Sequence, residues 1–260
     1  MSSAALHNRA NDWPEAVVVL NEAGRSDTVL LCEHASNHMP AEYSRLGLTE
    51  RDLKRHIAWD IGAALLTQRL SALLDAPAFL STYSRLLIDL NRPLGSEGSI
   101  PTLSEDTTIP GNSDIDEAER ARRVAIMFKP FHDKVSSHLA DREKDGRPTR
   151  IVTVHSFTPT YLGVSRPWHA GVLFAGATEL GTRLVDGLRN NGQGLNVDAN
   201  VPYVINRDSD YAIPVHGDDR GHDAVLIEIR QDLLTSSDDI DAWANRLVSA
   251  LPAFRGEMVA

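Results

Sequence analysis

One cysteine in 260 residues, Cys32, leaves no partner for an internal disulfide and makes a reducing compartment the expected setting. The opening MSSAALHNRANDWP has no apolar stretch of the signal-peptide kind, which points to the cytoplasm. No apolar run approaches the roughly 20 residues that cross a bilayer. Positive charge is also scarce: 26 Lys and Arg stand against 36 Asp and Glu, for a formal net charge of -10. That balance opposes nucleic-acid and anionic-membrane binding, so an anionic ligand must be held by local arginines. There is no internal repeat, low-complexity tract or dividing linker, and residues 1–260 read as one domain. The Walker phosphate loop, the dinucleotide fingerprint and the Gly-x-Ser-x-Gly elbow are all missing.

What the chain has is a hydrophobic content of 42%, enough to bury a full core, and an alternation of strand and helix patterns that reads as α/β. Residues 17–20 and 28–33 predict strands. Thr49 and Asp52 form a capping-box pattern opening a helix towards Leu74, with Leu53, Ile57, Asp60 and Ala64 on one face. Residues 78–90 read as two strand pieces or one bent strand, and 95–114 as a long surface loop suited to a lid. A helix is expected from Asp114 or Asp116 through Leu139, bent at Pro130. Strands are expected at 151–154, 171–174 and 224–229, and helices at 178–190 and 238–251. Residues 191–222 read as loop apart from VPYVIN.

Three short segments end strand patterns on residue types that do chemistry: LLCEHASNH at 30–38, VTVHSF at 152–157 and LIEIRQ at 226–231. Strand ends are where an α/β sheet presents side chains to a crevice. His34 and His155 are therefore candidate ligands of a catalytic zinc or another divalent metal, which takes about three protein ligands and leaves a position for water. A hydrogen-bonded loop histidine is the plainer reading of each. Asp60 is the leading third ligand, because a lone carboxylate on an apolar face needs a partner; a helix cap is its alternative. Glu33 is the rival, although strand alternation turns it away from His34. His38 reads as a residue behind the ligands or at the surface, and His216 and His222 as surface-loop histidines.

Glu228 interrupts an otherwise apolar strand and is the candidate general base, with an ion pair to Arg230 as the alternative. YSRLLIDLNRP at 83–93 offers Arg85 as an oxyanion donor, and Asn91 with Arg92 as a carboxylate clamp. Arg166 is a further substrate-contact candidate. Arg85 or Arg92 could instead pair with Asp89 or another surface acid, the commoner fate of an arginine.

Taken together, EHASNHMP, YSRLLIDLNRP, VTVHSF and LIEIRQDLL resemble the N-formylglutamate amidohydrolase family over most of the chain. That family resembles compact zinc carboxypeptidases. The resemblance implies an α/β fold of three-layer α/β/α type with a mixed sheet, phosphorylase/hydrolase-like. It also implies zinc, with His155 and Ser156 at the second histidine ligand, Asn91 and Arg92 at the carboxylate clamp, and Glu228 with Arg230 at the general base. Two departures stand out. Asn37 occupies the place of the carboxypeptidase glutamate three residues after the first histidine, leaving Asp60, Glu33 and Asn37 as alternatives for the second ligand. EHASN also replaces the Pro-His-Ser-Gly type of sequence found in the enzymes of histidine degradation, which points to another N-acyl amino acid.

The expected function is metal-dependent hydrolysis of N-formyl-L-glutamate or a related small acidic N-acyl amino acid. A zinc carboxypeptidase or amidase for a small peptide, a metal phosphoesterase and a non-catalytic carboxylate-binding module are the alternatives.

Overall fold

The computed structural model describes residues 12–191 and 194–251. Its strands are β1 (Val17–Leu20), β2 (Thr28–Cys32), β3 (Ala78–Ser81), β4 (Leu103–Ser104), β5 (Thr107–Thr108), β6 (Arg150–Phe157), β7 (Thr160–Tyr161), β8 (Val164–Ser165), β9 (Ala170–Leu173), β10 (Val197–Ala199) and β11 (Asp223–Arg230). Its α-helices are α1 (Glu50–Leu53), α2 (Ala63–Leu74), α3 (Glu117–Arg123), α4 (Lys129–Lys144), α5 (Thr178–Asn191) and α6 (Ser237–Ala250).

Seven strands form one mixed sheet in the order β1-β3-β2-β6-β11-β9-β10. The central run β3, β2, β6 and β11 is parallel, while β1 and the β9–β10 pair run the other way. Helices cover both faces, and this follows from the strand sequences. In β2 every residue is buried. Leu30 and Cys32 face a core with Leu66 and Leu70 of α2, Leu184 and Leu188 of α5, and Trp243 and Leu247 of α6. Val29 and Leu31 face a second core with Phe131, Val135 and Leu139 of α4 and with Leu86, Leu87 and Ile88. A strand buried on both faces reads as a continuous apolar run, as TVLLC of β2 and VLIEI of β11 do here. Cys32 is a buried free thiol.

Several expectations need correction. The helix expected from Thr49 to Leu74 is two: the Thr49 capping box is formed, but α1 stops at Leu53 and α2 starts at Ala63. Gly62 between them adopts φ +84°, and a Cβ there would lie 2.5 Å from Cβ of Leu234. The packing against Leu234 thus forces a break, which places Asp60 in a turn and off any helix face. The strand expected to stop before His155 continues to Phe157, because β11 pairs with β6 as far as Phe157 and Arg230. Only Ala78–Ser81 of the 78–90 segment is strand. VPYVIN is not strand; the edge strand is Val197–Ala199 just before it. The bend at Pro130 takes the form of a π-helical turn over Val124–Phe128 between α3 and α4. It accommodates a proline that has no N–H to give to the preceding turn.

The 95–114 loop is fastened at its root. Asn112 donates through Nδ2 to the carbonyls of Leu86 and Pro101, both at 2.8 Å. The buried Arg123 donates to Asn112 Oδ1 (2.7 Å) and to the Leu87 carbonyl (2.9 Å). Beyond that root the loop forms the β4–β5 hairpin. Among the described residues no helix is long and apolar enough to cross a membrane.

Gly171 of β9 lies opposite Glu228, and a Cβ added to it would fall 1.7 Å from the Val201 carbonyl oxygen. Gly171→Ala should therefore push the 201–204 segment off the sheet and cost about 1–3 kcal/mol of stability, read as a lower denaturant midpoint. An unchanged midpoint would show that this close approach is not needed.

Candidate active site

Parallel register places the chemistry. Glu228 of β11 lies beside His155 of β6, so two adjacent strands carry these side chains on one sheet face. β2 ends at Cys32, and Glu33 just past it brings Oε2 to 3.0 Å from Nε2 of His155. The chain then leaves the sheet, and His34 joins the same group. Its carbonyl accepts from the Asp60 N–H at 3.0 Å, which holds the turn before α2 against it.

The result is a convergence of three ligand-type side chains. Oδ2 of Asp60 lies 2.7 Å from Nδ1 of His155 and 3.3 Å from Nδ1 of His34. Ligand atoms of the three residues all lie within 4.8 Å of one another, and all three side chains are buried. The far nitrogens are held too: Nε2 of His34 donates to Oδ1 of Asp89 (2.7 Å), and Nε2 of His155 to Glu33. Carboxylates at Nε2 orient the rings and leave Nδ1 as the atom that faces the shared space, the arrangement of metal-binding histidines. Asp60 also accepts from the Ser156 N–H (3.3 Å) and, through Oδ1, from Arg85 (3.2 Å).

Charge follows from this packing. Burial alone would raise the Asp60 carboxyl, but the imidazoles of His34 and His155 outweigh it and hold it well below the usual range. Burial likewise opposes ionisation of Asp89, and Arg85 with His34 holds it low. His155 is raised, because Asp60 and Glu33 overcome the desolvation that would lower it. Glu228 goes the other way: burial pushes its carboxyl up to about 8, although His155 pulls against the rise. Oε1 of Glu33 and Oε2 of Glu228 are buried without a hydrogen-bond partner. Four buried acids, Glu33, Asp60, Asp89 and Glu228, thus crowd two imidazoles and Arg85. A divalent cation among the two Nδ1 atoms and Oδ2 of Asp60 fits both the donor set and this excess of negative charge.

These groups open onto a cavity of about 490 Å³ whose lining includes His34, Asp60, Arg85, His155, Tyr203 and Glu228. The β4–β5 hairpin reaches over it. Glu105 at its turn, with φ +56°, accepts from Arg55 Nη2 (2.9 Å) and from the Leu162 N–H (3.2 Å). His56, also lining the cavity, lies 3.3 Å from Glu105 Oε2.

The remaining candidates take varied positions. Arg85 donates through Nε and Nη2 to Asp89 (2.9 and 2.7 Å) and lines the cavity. Asn91 and Arg92 line it too, with part of their hydrogen-bonding capacity committed. Asn91 Oδ1 accepts from the N–H groups of Tyr211 and Ala212, and Arg92 pairs with Asp210 at 3.2 Å. Arg166 donates to the Tyr203 hydroxyl at 3.0 Å. Asn37 lies away from the metal-type cluster, donating to the Leu53 carbonyl at 2.7 Å. Arg230 pairs with Asp232 in place of Glu228. His38 contacts the Asp12 carbonyl, and His222 pairs with Glu143. His216 is not a surface residue: it is buried against His132, with 2.9 Å between Nε2 and Nδ1.

Sequence reasoning offered Asp89 only as a surface ion-pair partner of Arg85 or Arg92; it does pair with Arg85, but buried in the site, and a signal for that existed. It interrupts the apolar run LLIDL as Glu228 interrupts VLIEI, and the same cost of an unpartnered buried carboxylate applies. Tyr203, His56 and Glu105 sit on loops and carried no comparable signal.

The model of the N-formylglutamate amidohydrolase family matches residues 26–235. Comparison with curated proteins gives no match. Among solved structures, the chain is similar to a gene product of Agrobacterium tumefaciens, with 38% identity and a TM-score of 0.84 over 91% of this chain and 95% of that one. It is also similar to the N-formylglutamate amidohydrolase of Ralstonia eutropha JMP134, with 18% identity and a TM-score of 0.64 over 91% and 96% of the two chains. At that identity the second likeness shows the fold alone.

If the cluster holds a cation, zinc added to chelator-stripped protein at 100 times its dissociation constant should stabilise the folded state by about 2.7 kcal/mol. Calorimetry should record the matching rise in Tm for the wild type and none for His155→Ala. Equal shifts in both proteins would place the zinc elsewhere.

Proposed function

The chain belongs to the N-formylglutamate amidohydrolase family and is an amidohydrolase; on that premise we propose that it is metal-dependent and cleaves N-formyl-L-glutamate or a related N-acyl amino acid. The products are formate, or the corresponding carboxylate, and the free amino acid. The observation that carries this reading is the approach of two imidazole Nδ1 atoms to one oxygen of Asp60 on the floor of a cavity that Glu228 also lines.

His34, Asp60 and His155 would hold the cation, zinc in the reading that the family resemblance supports. When bound, such an ion supplies Lewis acidity, lowering the pKa of water and polarising an amide carbonyl. The protein's own groups do the rest. Asp89 and Glu33 keep the two imidazoles oriented through Nε2. Glu228 takes a proton from water as the new C–O bond forms, and returns it to the amide nitrogen as the C–N bond breaks. Its carboxyl is raised by burial, and a positive charge nearby would bring it down towards neutrality, where a group serves both as base and as acid. Arg85 has N–H groups beyond those given to Asp60 and Asp89, and these stabilise negative charge developing on the carbonyl oxygen. Asn91 and Arg92 on the cavity wall, and Arg166 beside it, orient the substrate.

Formate release from N-formylated amino acids should depend on zinc added back to stripped protein. Glu228→Gln should keep its zinc, by elemental analysis, while turnover falls by roughly 10²–10⁴-fold. Release that is independent of metal, or a Glu228→Gln protein of normal activity, would overturn the proposed mechanism.

A further inference from the structure

Arg85 and Arg92 line the cavity and Arg166 packs on three rings of its lining; the three guanidinium groups differ in what already neutralises them. Arg85 is pinned between Asp60 and Asp89. Arg92 is paired with Asp210, and its Nη1 also donates to the carbonyls of Asn91 and Ser209. Arg166 is buried, and among the described residues it has no acidic side chain at ion-pair distance. Its guanidinium carbon lies 4.7 Å from the ring centre of Tyr161, 4.9 Å from that of Tyr203 and 5.9 Å from that of Phe157. All three rings line the cavity. The Arg166 charge also reaches Glu228 and Tyr203, where it opposes the rise in both groups that burial causes. A guanidinium stacked between aromatic rings is fixed in orientation, and without a carboxylate of its own it is a ready receptor for one.

The opposite requirement comes from the rim. Leu103, Tyr203 and Val204 line the cavity and are 59%, 44% and 67% exposed. The acidic side chains of Asp60, Asp89, Glu105 and Asp210 also line the cavity and disfavour a second substrate carboxylate there.

We propose that Arg166, held by Tyr203 and Tyr161, is the receptor for a single substrate carboxylate, and that the preferred substrate is an N-acyl amino acid with an apolar side chain resting on Leu103, Tyr203 and Val204. This rests on the amidohydrolase reading and narrows its substrate class. One unneutralised guanidinium accepts one carboxylate. The apolar rim offers nothing to a second.

The test uses zinc-loaded full-length protein with N-formyl-L-leucine, N-formyl-L-glutamate and N-formyl-L-leucinamide, which lacks the carboxylate. The expected kcat/KM of the wild type is at least about tenfold higher for the leucine than for the glutamate compound. Arg166→Gln should raise KM for N-formyl-L-leucine by roughly 10- to 100-fold with little change in kcat, and leave the leucinamide unaffected. Arg166→Lys, which keeps the charge, should recover part of the loss, and circular dichroism checks that both variants fold. A KM for N-formyl-L-leucine that Arg166→Gln does not change overturns the receptor, and a preference for the glutamate compound overturns the substrate class. Calorimetric titration separates this proposal from the hydrolase reading. Binding of N-formyl-L-leucine that Arg166→Gln abolishes, without turnover in either protein, sinks the hydrolase and keeps the receptor. No binding and no turnover in the wild type overturns both.

Discussion

The structure turns on one carboxylate. Asp60 gives one oxygen to both imidazole Nδ1 atoms and to the Ser156 N–H, and the other to Arg85. It thereby ties together the loop after β2, the turn before α2, the body of β6 and the segment after β3. A buried carboxylate in that position is tolerable only because each of its neighbours is a donor or a cation. The neighbours need it equally, since His34 and His155 would otherwise be buried imidazoles without a common partner.

Around this centre the acids are layered by role. Asp60 lies between the imidazoles, while Glu33 and Asp89 lie behind them at Nε2. Glu228 stands beside His155 on the neighbouring strand. Among the described residues Arg85 is the one guanidinium bonded directly to this group, through Asp60 and Asp89. The resulting excess of acidic groups is what makes a divalent cation the fitting complement, while the raised carboxyl of Glu228 comes chiefly from its own burial, against the pull of His155.

The wall and roof come from irregular chain, as functional surfaces on a rigid sheet commonly do. Asn112 and Arg123 clamp the root of the 95–114 segment to the backbone at Leu86 and Leu87. Glu105 joins its tip to Arg55 and to the β7–β8 turn at Leu162. Gly171 lets the Val201 carbonyl close on the sheet, which brings Tyr203 to the cavity. The roof is therefore held by specific bonds at both ends.

The amino-acid sequence by itself determined the α/β class and most of the sheet strands, and it singled out His34, His155 and Glu228 as candidates. These are local properties: apolar runs of strand length, and polar residues standing where such runs stop or are interrupted. It also carried the family resemblance through four short segments. Only the tertiary structure decided what those residues meet. Whether Asp60 lies on a helix or in a turn depends on Gly62 against Leu234, two residues 172 positions apart. That His155 lies inside its strand depends on how far β11 pairs with β6. Arg85, Arg92 and Arg166 are the same side chain in the sequence; Asp89, Asp210 and an aromatic cage make them three different groups. Charge neutralisation in a buried site is a property of neighbours brought together across the fold, and no local pattern encodes it.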